Sequence, residues 1–143
     1  MKMDNYISIE FPSRSKNEAF ARSVVACFVA QIDPTLEELG DIRTAVSEAV
    51  TNCIVHAYPH GIGKIQMRCK IINDNTLDIT IRDKGVGIAD IEQARTPMFT
   101  TGGADRSGMG ITIMESFMTD FSIKSVPGKG TTVHMRRRLR RRT

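Results

Sequence analysis

Leu77, Ile79 and Ile81 alternate with Asp78, Thr80 and Arg82, and the run passes directly into Asp83-Lys84-Gly85-Val86-Gly87. Side chains on a strand alternate between the two faces of a sheet, so Leu77, Ile79 and Ile81 share the core face. Asp83 has the same parity. A carboxylate therefore stands where the next core residue belongs, and burying it without a partner is costly enough that some donor must meet it. Gly85 and Gly87, just after it, permit a tight turn and a close approach of backbone to ligand. The combination predicts an acid that reads the polar edge of a flat, mostly apolar molecule.

Further strands are expected around this one. Ile65, Met67, Cys69 and Ile71 alternate with Gln66, Arg68 and Lys70, and Asn73-Asp74-Asn75 supplies the turn of a hairpin with the Leu77 strand. Ile7, Ile9 and Phe11 mark a first strand. Phe121, Ile123, Val133 and Met135 flank a Pro127-Gly128-Lys129-Gly130 turn as a last hairpin. Ser15 with Glu18, and Thr35 with Glu38, have the spacing of helix capping boxes. Phe20, Val24, Phe28 and Ile32 repeat at helical spacing after the first box. The second opens a helix over residues 36–57. A short helix is expected at 91–95 and a glycine-rich loop at 100–110, followed by a third helix faced by Ile111, Met114, Phe117 and Met118. Strands joined by short turns predict an α+β, two-layer sandwich: a mixed, mostly antiparallel sheet with helices on one face.

The 143 residues match one domain, 1–143, large enough to bury a core. Six of the 20 basic residues are arginines among the last eight positions; without them 14 basic residues face 16 acidic ones. The body is thus mildly acidic and only residues 136–143 are basic. Such a run can contact nucleic acid or an acidic surface, and composition alone reads it as a solvated, frayed end. Cys27, Cys53 and Cys69 are odd in number, lack Cys-x-x-Cys spacing and fall in apolar patterns, as buried free thiols of a reducing compartment do. No signal peptide or membrane-length apolar run is evident, so a cytoplasmic protein is expected.

Two further clusters carry candidate chemistry. Glu48, Asn52 and His56 are four residues apart on a helix whose other positions are mostly apolar or small. Glu48 offers a base or a ligand, and the Asn52 amide oxygen suits a magnesium ion shared with phosphates. His56 either lines the same site or packs. Ser107-Gly108-Met109-Gly110 enters the third helix, where free N–H groups and the helix dipole favour an anion. Arg106 precedes it. No Gly-x-x-x-x-Gly-Lys-Ser/Thr loop is present.

Taken in order, Glu48-Ala-Val-Thr-Asn52, Asp83-x-Gly85-x-Gly87, Gly108-Met-Gly110 and Gly130-Thr131-Thr132-Val133 resemble the motifs of the gyrase, heat-shock-ninety, histidine kinase and MutL ATPase superfamily. Pro97-Met-Phe-Thr-Thr101 and Arg106-Ser-Gly-Met-Gly-Ile-Thr-Ile-Met-Glu115 are similar, more narrowly, to the anti-sigma-F serine kinases of spore-forming bacteria. The similarity spans residues 7–135.

The resemblance implies a Bergerat ATP-binding fold. In it Asp83 would accept a hydrogen bond from the adenine amino group, Gly85 and Gly87 would let the base approach, and Thr131 would support the pocket. Asn52 would hold magnesium. Ser107, Gly108, Met109 and Gly110 would wrap the phosphates, and Thr100 and Thr101 would belong to a lid. Arg106 would meet the terminal phosphate and Glu48 would deprotonate an attacking serine hydroxyl. The implied partners are a sigma factor, sigma F, and an anti-anti-sigma substrate. A homodimer is implied too, without membrane or direct nucleic-acid binding. Arg22 aligns with a partner-contacting arginine, though its position suits an ordinary surface arginine equally well. A stress-response switch kinase, an ATP-gated binding module and a nucleic-acid binder using the arginine run are the competing readings.

Overall fold

The computed structural model describes residues 2–88 and 110–140. Five strands run β1 (Met3–Pro12), β2 (Lys64–Ile72), β3 (Thr76–Asp83), β4 (Asp120–Val126) and β5 (Gly130–Arg138). They pair in the order β1-β2-β3-β5-β4, and every pairing is antiparallel. The helices are α1 (Lys16–Val29), α2 (Leu36–Asn52) and α3 (Gly110–Phe117), with a 3-10 turn at Ala30–Ile32 and a π-helical turn at Cys53–Ala57. None of them is long and apolar enough to cross a membrane.

The period-two pattern places Ile65, Met67, Cys69 and Ile71 of β2, Leu77, Ile79 and Ile81 of β3, and Val133 and Met135 of β5 in one core with the helices. Ile42, Ala45, Val46, Ala49 and Val50 of α2, with Ile111 and Met114 of α3, complete it. Each large aliphatic side chain so removed from water contributes about 1.5–3 kcal/mol before the entropy of ordering is subtracted. Asn73 and Asp74, at φ 55° and 59°, take the left-handed conformation that a tight hairpin turn requires. Thr35 and Glu38 form the expected reciprocal capping box at the start of α2.

Four expectations need correction. Ser15 makes no side-chain cap, because its backbone is already helical at φ −58° and ψ −31° rather than extended as a capping residue's is, and the Glu18 carboxylate goes to the Ser47 hydroxyl and to Arg22. The buried face of α1 is Ala21, Val25, Phe28 and Val29, whereas Phe20 is 53% exposed and Val24 and Ile32 are only partly buried. Small Ala21 lets α1 lie close to its neighbours, and the bulkier Phe20 is turned outward. Cys27 is exposed, while Cys53 and Cys69 are buried; burial pushes the Cys69 thiol up to about 12. The arginine run is not a frayed end through residue 140. Arg136, Arg137 and Arg138 belong to β5, and Leu139 is buried in the core.

Candidate nucleotide site

Asp83 ends β3 opposite Ile65 of β2 and Thr131 of β5, and only 6% of it is exposed. Its parity does turn it inward, and its donors are supplied locally. Oδ1 accepts the Gly85 N–H at 2.9 Å and the Thr131 N–H at 3.2 Å. Oδ2 accepts the Cys53 thiol at 3.4 Å. Burial first, then the negative charge of Asp83, raises the Cys53 pKa well above the usual thiol range, so the sulfur stays protonated and donates. An ionised carboxylate has about four lone-pair positions, so Oδ2 keeps acceptor capacity for a further donor.

The backbone after Asp83 is packed tightly. The Val86 N–H donates to the Ala57 carbonyl at 2.9 Å, and a Cβ at Gly85 would overlap that same carbonyl. Gly87 follows at φ 77°. The Tyr58 hydroxyl accepts the Lys84 N–H at 2.7 Å and donates to the Lys64 carbonyl at 2.6 Å, fixing the turn from the other side. The Thr131 hydroxyl meets Ser125 Oγ at 2.7 Å, and Ser125 Oγ accepts the Ile88 N–H at 2.6 Å.

The second half of the site comes from α2. Glu48 and Asn52 are half-buried and lie one turn apart, facing the first residue of α3. A Cβ at Gly110 would sit 2.9 Å from Glu48 Oε2 and within 3.3–3.4 Å of the Asn52 amide, so only glycine leaves room between them. The two motifs therefore meet at the N-terminus of α3, where helix dipole and free N–H groups favour negative charge. Asn52 is followed at once by Cys53, which reaches Asp83, so the α2 motif and the β3 motif form one contiguous surface.

His56 falls within the π-helical turn at Cys53–Ala57 that continues α2. Arg22 is half-buried rather than exposed; its guanidinium meets Glu18 at 3.4 Å, and its buried Nε has no hydrogen-bond partner among the described residues. Thr100, Thr101, Arg106, Ser107, Gly108 and Met109, with the short helix at 91–95, lie outside the described residues. Cys53, Tyr58 and Ser125 were missed by sequence reasoning. Cys53 adjoins Asn52 and could have been suspected on that ground, but nothing local to Ser125 or Tyr58 marks them.

The described residues contain no cluster of three His, Cys, Asp or Glu side chains able to hold a metal by themselves. A magnesium ion shared with a nucleotide would need only one or two protein oxygens, of which the Asn52 amide offers one.

Comparison with known proteins points the same way. The family model of the histidine kinase-like ATPase domain matches residues 11–137. An anti-sigma F factor of Caldanaerobacter subterraneus is 53% identical over 136 residues, covering 94% of each chain. One from Geobacillus kaustophilus is 52% identical over 141 residues, covering 96% of this chain and 94% of that one. Among solved structures, the RsbU and RsbW domains of a Mycobacterium tuberculosis protein superpose with a TM-score of 0.71 at 19% identity, covering 98% of this chain and 34% of that one.

Proposed function

The chain belongs to the histidine kinase-like ATPase domain family and, within it, to the anti-sigma F factors, and on that premise we propose that it restrains a sigma factor and transfers the γ-phosphoryl group of ATP to a serine of an anti-anti-sigma protein. The observation that carries this reading is the junction of the two motifs: Glu48 and Asn52 face Gly110, and the next residue, Cys53, bonds Asp83. Adenine would enter with its amino group toward Asp83 Oδ2, against the Gly85–Gly87 turn and Thr131. The phosphates would extend toward the start of α3.

Glu48 would accept the proton of the serine hydroxyl as its oxygen bonds the γ-phosphorus. The bond to the β–γ bridging oxygen breaks, and ADP leaves with that electron pair. Phosphoryl transfer of this kind depends chiefly on positioning and on neutralising charge. Asn52 is the side chain that would hold magnesium, whose charge offsets that of the phosphates when bound. Nucleotide state would then bias which protein partner is held.

The test uses γ-labelled ATP, magnesium and an anti-anti-sigma protein. Parent protein should label a serine, and Glu48→Gln should lose about 10²–10⁴ of the rate, the usual contribution of a general base, while still binding ADP. A normal rate in Glu48→Gln would remove the base assignment. Intact ADP binding without label transfer in the parent protein would leave an ATP-gated binding module instead.

A further inference from the structure

We infer that the end of the sheet remote from Asp83 carries a docking groove for an acidic polypeptide segment. A groove of about 750 Å³ lies between the β2–β3 turn, the start of β4 and the end of β5, and its lining includes Thr76, Thr119, Asp120, Arg136, Arg138 and Arg140. Strand alternation divides the arginine run in two. Arg137 turns to the helix layer, donating to Asp41 at 2.9 Å and to the Phe117 carbonyl at 2.6 Å, and Leu139 enters the core. Arg136 and Arg138 take the opposite parity and, with Arg140 just past the end of β5, line the groove.

These arginines are displayed from a fixed chain. Arg136 Nε is held at 2.6 Å by Asp78, a carboxylate only 3% exposed that also meets His134 at 2.7 Å. The Arg138 N–H donates to Thr119 Oγ1, the Leu139 N–H to the Asn75 carbonyl and the Arg140 N–H to Glu38 Oε2, at 2.7–2.9 Å. The guanidinium groups of Arg138 and Arg140 are exposed and have no ion-pair partner among the described residues. Ordering the backbone beforehand reduces the entropy lost when a ligand binds.

Alternate residues of a strand stand roughly 6.5–7 Å apart. An extended peptide with an acid at every second position repeats its carboxylates at the same interval, and each guanidinium fork matches a carboxylate bidentately. A nucleic-acid strand fits less well. Among the described residues, no aromatic side chain lines the groove for base stacking. Asp120 also stands in the lining, where it repels a chain carrying charge at every unit but accepts a peptide with a neutral or basic residue there.

The probe is a dye-labelled alternating Glu-Ser decapeptide, titrated by fluorescence polarisation against the full chain. Saturable, salt-sensitive binding is expected, at least ~10-fold weaker in Arg138→Ala/Arg140→Ala and intermediate in Arg138→Lys/Arg140→Lys, since lysine keeps charge but not the fork. ADP affinity, read in the same variants, should be unchanged and reports that the fold is intact. Absence of saturable peptide binding, equal binding by the alanine variant, or tighter binding of a ten-nucleotide single strand than of the peptide each overturns the inference.

Discussion

Asp83→Asn isolates the property on which the proposed adenine contact rests, a buried carboxylate that only accepts. Asparagine has nearly the same shape, so it can keep its amide oxygen toward the Gly85 and Thr131 N–H groups now held by Oδ1 at 2.9 and 3.2 Å. Its nitrogen then takes the place of Oδ2. The Cys53 sulfur can accept weakly from that nitrogen, so folding should lose only the charge assistance of these bonds, about 1–2 kcal/mol. The ligand side is harsher, because an adenine amino group would meet an NH₂ where it had met an oxygen. Loss of one hydrogen bond to a charged group, with two donors left facing each other, costs about 3 kcal/mol, or roughly a hundredfold in affinity. Calorimetric titration with ADP measures the affinity, and urea unfolding of the same samples measures the stability. A folded Asp83→Asn protein that bound ADP within threefold of the parent would refute the adenine-reading role, whatever happened to stability.

Three other outcomes are expected. Gly85→Ala should lose at least ~2 kcal/mol of stability and most ADP binding, because the new Cβ overlaps the Ala57 carbonyl and a backbone segment must move; a circular-dichroism melt alongside the ADP titration checks both. Cys53→Ala should raise the ATP KM about fivefold with little change in kcat, and Cys53→Ser should restore it, since a hydroxyl also donates to Asp83 Oδ2; an unchanged KM in the alanine variant would show that the thiol does not orient the carboxylate. Glu38 is disfavoured as an anion by its burial, but the Thr35 and Arg140 N–H bonds and the charge of Arg137 outweigh this and hold its pKa below the ordinary 4.5. Its stabilising contribution is therefore complete above about pH 4.5 and is lost as pH falls through the lower folded-state value. Urea midpoints of the parent should drop more steeply in that range than those of Glu38→Gln.

What the sequence made legible was whatever depends on near neighbours. Strand parity was enough to turn Asp83 inward, the Thr35–Glu38 spacing was enough to start α2, and Asn73-Asp74 was enough to close a hairpin, because each rests on the geometry of a few consecutive residues. Reasoning from sequence failed where a distant partner decides. Ser15 has the same box spacing as Thr35, but Glu18 is taken by Ser47, 29 residues away on α2, as well as by Arg22 one turn on. The buried face of α1 was rotated by one residue because Phe20 outranks Ala21 in hydrophobicity, whereas close helix packing favours the smaller side chain. The arginine run looked solvated because composition cannot show that Asp78, on a neighbouring strand, waits opposite Arg136.

The ladder between β3 and β5 carries the proposed nucleotide corner at one end, where Asp83 pairs with Thr131, and the proposed groove at the other, where Thr76 pairs with Arg138. Seven residues of strand separate them, roughly 24 Å at about 3.4 Å per residue. That is about three Debye lengths at physiological salt, so charge in the groove exerts almost no direct field on bound phosphates. A mechanical connection exists instead through α2. Its first turns hold the end of β5, by Glu38 to the Arg140 N–H and Asp41 to Arg137, and its last turns present Glu48 and Asn52 to Gly110. Were α2 to move as a unit, a partner that shifted residues 137–140 would move Glu48 and Asn52, the proposed base and magnesium ligand, together, and would reach Asp83 only through Cys53, since the Gly85 and Thr131 N–H groups hold its other oxygen. Coupling by that route would change the rate of phosphoryl transfer far more than the affinity for adenine. An electrostatic route would instead weaken as ionic strength rises.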